Sequence, residues 1–282
     1  MQIAKRALDV LAVAFGCLVY GYVTLPDVRQ LTKTNPTITA FMELRAREAH
    51  AQGRPATRDQ RWVSYARISQ YLKKAVIVTE DASFWQHEGI DYEALRDSIE
   101  TNIERGEFAR GASTITQQLA KNLYLSPSKN PVRKLRELLI TRRLEVELTK
   151  QRILEIYLNV IEWGDGIWGA EAAARRHFHK AAADLTPSEA ALLAGAIANP
   201  HIMDPGRPNA RLRRRQQMIM RRMGAVTPPP VVAEPAPAAP DPALTPVPDL
   251  PSVGPPIALP GAPVAPPRAP GKPGGGPGGP GQ

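Results

Sequence analysis

The chain has one cysteine in 282 residues, Cys17, so no internal disulfide can form whatever the redox state around it. Its five histidines show no HExxH arrangement, and His177 and His179 lack cysteines or further ligands nearby, which argues against a zinc site. Alternating apolar and polar runs and hairpin dipeptides are scarce between about Ala40 and Met223, which argues against a β fold. Ser126-Pro127-Ser128-Lys129 has the S-x-x-K spacing of an acylating serine. No S-x-N or K-T-G follows it, and too little foldable chain remains downstream to supply them.

Two further absences mark the ends. No charged residue lies between Val10 and Pro26, a run long enough to span a bilayer core, which takes roughly 17 to 25 residues. Lys5 and Arg6 precede it, so the positive-inside rule keeps residues 1–6 in the cytoplasm, makes 7–26 the anchor and sends the rest outside. A cleaved signal peptide is the rival reading, but Tyr22-Val23-Thr24-Leu25-Pro26 offers no small-x-small cleavage site. At the other end, residues 226–282 hold 20 of the 29 prolines and no aromatic residue, which leaves nothing to build a core; a disordered, partly polyproline-like tail is expected. The tail carries a net charge of −1, so the first 225 residues carry +10. Such an excess suits nucleic acid, anionic lipid or a phosphorylated substrate, and an exterior location argues against nucleic acid.

What is present between the ends is helical periodicity, so 27–225 is expected to form a mainly α domain. Thr114 with Gln117 and Thr186 with Glu189 fit capping boxes, the second reinforced by Pro187. Ala190 to Ala198 reads as a helix buried on most sides, and Gly164, Gly166 and Gly169 as a tight turn. The apolar helix of Ile68, Leu72, Ala75, Val76 and Val78, with Lys73 and Lys74 on its other side, ends in Glu80 and Asp81. A carboxylate at a helix C-terminus meets partial negative charge, which raises its proton affinity as a general base requires; solvated loop acids are the bland alternative.

Thr114, Gln117, Gln118 and Lys121 share one helical stripe, short hydrogen-bonding groups plus a cation, beside the apolar Ile115, Leu119 and Leu123. Lys129, Arg133, Lys134 and Arg136 crowd before Glu137, where a phosphate site and a simple intrahelical ion pair are both open. Lys150 to Asn159 is an amphipathic helix with an apolar side at Ile153, Leu154, Tyr157 and Leu158, mostly scaffold. The run Arg211, Arg213, Arg214, Arg215, Arg221 and Arg222 reads as a solvated helix face that can also touch anionic lipid.

Taken in order, Glu80-Asp81-x-x-Phe84-x-x-His87-x-Gly89, Gly111-x-Ser113-Thr114-Ile115-Thr116-Gln117-Gln118-Leu119-x-Lys121-Asn122, Arg133-Lys134-x-x-Glu137 and Arg152-Ile153-Leu154-Glu155-x-Tyr157-Leu158-Asn159 resemble the motifs of family 51 peptidoglycan glycosyltransferases. The monofunctional biosynthetic members are the nearest match, over about residues 5–224. The resemblance implies a lysozyme-like α-helical fold, anchored on the bacterial inner membrane with its catalytic domain in the periplasm. It implies lipid II and the nascent glycan chain as partners, with wall-synthesis or division proteins as further candidates, and no transpeptidase activity. It also implies polymerisation to β-1,4-linked strands with inversion and release of undecaprenyl pyrophosphate. Glu80 would be the base, and Glu137 the second catalytic glutamate, orienting cations or a divalent metal, magnesium or manganese. Lys121, Lys129 and Arg133 would stabilise the pyrophosphate. Ser113, Thr114, Gln117 and Gln118 would hold sugars or phosphates, and Asp81, Phe84 and His87 would shape the base's surroundings. A glycan-cleaving lytic transglycosylase and a non-catalytic scaffold recruiting partners through the tail are the alternatives. The cations disfavour the first, and the presence of both glutamates disfavours the second.

Overall fold

The computed structural model describes residues 6, 9, 12, 15, 16, 19–105, 113–126 and 130–224. Residues 226–282, expected as a tail, Lys129 and much of the expected anchor lie outside them. The described residues all fall in the first of two units, Met1–Val231. Among them no helix is long and apolar enough to cross a membrane.

From Ala40 onward nine α-helices follow one another among these residues: α1 (Ala40–Ala51), α2 (Gln70–Glu80), α3 (Tyr92–Arg105), α4 (Ile115–Tyr124), α5 (Pro131–Glu147), α6 (Lys150–Val160), α7 (Ala170–Phe178), α8 (Pro187–Ala196) and α9 (Ala210–Arg222). Their starts are set locally. Side chains of Thr39, Ser69, Thr114, Asn130, Thr149, Thr186 and Asn209 each accept a backbone N–H of the first turn. Both expected capping boxes are complete, and Pro187 opens α8.

The core gathers Leu72, Val76, Ile77, Ile115, Leu119, Ile140, Leu144, Tyr157, Trp163 and Trp168, all at most 1% exposed. α4 packs on α1, α5 and α6, while α2 packs on α8 and α9. α8 is buried from Ala190 to Ala196, as its small apolar composition requires. Lys73 departs from expectation. Periodicity set it on the polar side of α2, yet it is fully buried, its Nζ donating to the Tyr65 carbonyl at 3.0 Å and lying 4.0 Å from the Tyr65 ring centre.

The glycine turn is the loop of a hairpin. β2 (Glu162–Gly164) pairs antiparallel with β3 (Ile167–Trp168), and β3 pairs in parallel with β1 (Asp59–Gln60), giving the order β1-β3-β2. Strands of two or three residues carry no readable alternation, which is why periodicity missed them. Gly169, at φ +83, could not be replaced: a Cβ there would stand 2.6 Å from the Asn159 carbonyl oxygen. The sheet thereby closes on the C-terminus of α6.

Candidate active site

Glu80 is the last residue of α2 and is half-buried. Its Oε2 accepts the Gln118 amide at 3.0 Å, and Gln118 Oε1 accepts the Tyr157 hydroxyl at 2.9 Å. The chain Tyr157 to Gln118 to Glu80 therefore fixes the amide with its N–H toward the carboxylate. Glu80 holds its proton above the ordinary carboxylate range. Burial is the leading cause; the Gln118 hydrogen bond and the charge of Arg215 oppose it, Asp81 adds to it and Lys121 opposes it. The direction matches the expectation, but desolvation leads, where a helix terminus was expected to. Tyr157, fully buried, is pushed well above its usual range by burial and then by Glu80 and Asp81.

Asp81 turns the other way and organises the scaffold. Its Oδ1 lies 2.8 Å from His87 Nε2, and its Oδ2 accepts the first amide of α4, Ile115 N–H, at 2.9 Å. His87 Nδ1 accepts the Gly89 N–H at 3.0 Å, so Nε2 must carry the proton donated to Asp81. Gly89, at φ +88, faces Thr141 and Glu145 on α5 where a Cβ would collide, and its carbonyl accepts the Thr114 hydroxyl at 2.7 Å. Phe84 is fully buried under this loop, with Lys150 Nζ 4.6 Å from its ring centre. Asp81, Phe84, His87, Thr114 and Gln117 thus brace the loop against α4 and α5, and Gln117 spends its side chain on the cap.

A cleft of about 310 Å³ opens beside Glu80, bounded by Asp81, Ser83, Ser113, Thr114 and Arg222. One turn beyond Gln118, Lys121 responds to both glutamates. Burial lowers its proton affinity, Glu137 most strongly opposes that, Arg133 and Lys134 reinforce it, and Glu80 opposes it. Glu137, 3% exposed, accepts Arg133 Nη1 at 2.8 Å and Lys134 Nζ at 2.5 Å, so the intrahelical pair forms and holds two cations on one buried acid. Two contributors escaped the sequence reading. Arg215 and Arg222 belong to the basic run that reads as a solvated face of α9, but Arg215 is half-buried three residues after the buried Leu212 and four before the buried Ile219, and the exposed Arg222 stands at the rim of the Glu80 cleft.

Asp81, His87 and Asp91 bring ligand atoms within 4.8 Å of one another. They do not fit a resident divalent ion. Both Asp81 oxygens and both His87 nitrogens are already bonded as above, and Asp91 Oδ1 caps Ala94 N–H at 2.8 Å.

The Transglycosylase family model matches residues 47–224. A biosynthetic peptidoglycan transglycosylase of Nitrosomonas eutropha is 50% identical over 189 residues, 67% of this chain and 78% of the relative. Its counterpart from Dechloromonas aromatica is 48% identical over 191 residues, 68% and 83% of the two chains. That of Chromobacterium violaceum is 43% identical over 225 residues, 80% and 98%.

Proposed function

Since the chain belongs to the transglycosylase family and is a peptidoglycan glycosyltransferase, we propose that it polymerises lipid II with Glu80 as general base. Glu80 takes the proton from the 4-hydroxyl of the acceptor N-acetylglucosamine. The oxygen attacks C1 of the donor N-acetylmuramic acid from the face opposite the pyrophosphate. The C1–O bond breaks, its electron pair leaves on the pyrophosphate, and the α linkage becomes β-1,4. A sugar hydroxyl is too weak an acid to ionise at neutral pH, so a base with raised proton affinity, held by Gln118, suits the step.

Lys121, Lys129 and Arg133 stabilise the charge that grows on the leaving group, and Glu137 orients Arg133 and Lys134 by its two ion pairs. The observation that carries this reading is α4 itself, which presents Gln118 to one glutamate and, one turn on, Lys121 to the other. A divalent ion would ride on the substrate's phosphates and supply further charge neutralisation; no step depends on it here. Residues 7–26 cross the inner membrane, with the catalytic domain on the periplasmic side where lipid II is displayed. Wall-synthesis or division proteins would meet the proline-rich tail.

Incubating the solubilised full-length chain with labelled lipid II tests the proposal. Glycan polymer is expected from the native protein and loss of about 10²-fold or more in rate from Glu80→Gln. Full activity in that variant would sink the assignment.

A further inference from the structure

α5 turns an apolar row outward: Val132, Leu135, Leu139 and Val146 are 63%, 49%, 36% and 67% exposed. Along the same helix, two arginines grip the chain where it leaves the expected anchor. Arg136 donates to the Thr24 hydroxyl and carbonyl at 3.0 Å each. Arg143 reaches the carbonyls of Tyr22, Leu25 and Pro26 at 3.4 Å each, with its guanidinium 4.7 Å from the Tyr22 ring centre.

Between this grip and α5 lies a cleft of about 600 Å³, its apolar wall including Leu25, Leu139 and Val146. Of its three arginines, Arg29 is bound in a two-point pair to Asp27, and Arg142 is paired with Glu88. Arg143 has no carboxylate at ion-pair distance among the described residues. Its three carbonyl contacts sit at the long limit of hydrogen bonding, which leaves its five donors far from saturated. The exposed Glu147 is the one acid of the lining outside an ion pair with a described residue. A half-buried guanidinium beside an apolar wall matches a phosphate attached to an acyl chain.

We propose that this cleft binds an anionic phospholipid, with its phosphate on Arg143 and one acyl chain along Leu139 and Val146. The inference rests on the membrane placement proposed above. It concerns a site separate from the substrate cleft, since none of its lining residues belongs to the Glu80 or Glu137 clusters.

The full chain in neutral detergent, titrated with phosphatidylglycerol or phosphatidylcholine and read by native mass spectrometry, tests it. One phosphatidylglycerol is expected to be retained in preference to phosphatidylcholine. Arg143→Gln is expected to weaken retention about tenfold, equivalent to ~1.4 kcal/mol. Val146→Asp, a change at an exposed position that leaves the grip intact, is expected to weaken it similarly, and Arg54→Ala, paired with Asp165 elsewhere, to leave it unchanged. Equal retention of the two lipids, unaltered binding in both cleft variants, or displacement by free glycerol phosphate would overturn the proposal. Insertion into phosphatidylcholine vesicles separates the premises. A chain that enters no vesicle overturns the membrane placement and this site together. One that inserts but shows no preference overturns the site alone.

Discussion

Glu80 meets two opposed demands, and the sign of its shift connects them. Its folded proton affinity is raised above the ordinary value of 4.5. Between that value and the raised one the folded chain binds more protons than the unfolded chain, so stability falls as pH rises through the window. Glu80→Gln removes the penalty. We expect the variant to be inactive yet to melt ~2–4 °C higher at pH 7, with the gain vanishing below pH 4.5, as calorimetry at several pH values would read. In the native enzyme the acid limb of kcat/KM should fall above the range of a solvated glutamate. Tyr157→Phe frees the Gln118 amide to turn over; kcat should drop about fivefold to tenfold with little change in KM, the loss of one hydrogen bond of ~1 kcal/mol.

At the scale of elements, α6 serves as a connector. Asn159, fully buried at its penultimate position, accepts Val63 N–H at 2.9 Å and donates to the Val63 and Glu155 carbonyls. Glu155 accepts Tyr65 N–H at 3.1 Å. Asn159→Ala would strand both polar groups of Val63, and we expect a loss of ~2–4 kcal/mol in a urea titration, with the remaining folded enzyme retaining activity.

These ties explain what could be read in advance. Caps such as Thr114 with Gln117 are decided within one turn, so residue types reveal them. Val63, which Asn159 bonds through both its polar groups, lies 96 residues away, and no local pattern encodes that distance. Glu80 and Lys121 stand out as chemistry out of place on otherwise ordinary helices, whereas Glu137 reads equally as half of an intrahelical ion pair with Arg133, and only the family resemblance gives it a role. Arg215 was hidden because a basic run looks the same whether one of its members turns inward or none does. Tyr157 was hidden because the ring satisfies the apolar pattern while only the hydroxyl serves the site.

For the whole molecule, a buried cation is the clearest cost. Burial lowers Lys73 from its ordinary 10.5 to about 8. Between those values the unfolded chain binds more protons, so stability should rise with pH across that window, and below pH 8 the penalty stands in full. Lys73→Met should therefore stabilise the fold by ~1–2 kcal/mol at pH 7, even after losing the bond to the Tyr65 carbonyl, and the gain should fade toward pH 10.5. Parallel thermal melts of the two proteins across that range would measure it.

α5 carries Glu137 and, six residues further on, Arg143, which grips the exit of the expected anchor. At ~1.5 Å per residue, the two stand about 9 Å apart along the helix axis. α5 thus works as a ruler with its zero mark on the chain leaving the expected anchor and its reading at Glu137, the acid proposed to orient the leaving-group cations. Under the membrane placement proposed above, so short a spacing would keep the proposed reaction close to the headgroup layer, and the lipid pyrophosphate would be released without its tail being drawn into water.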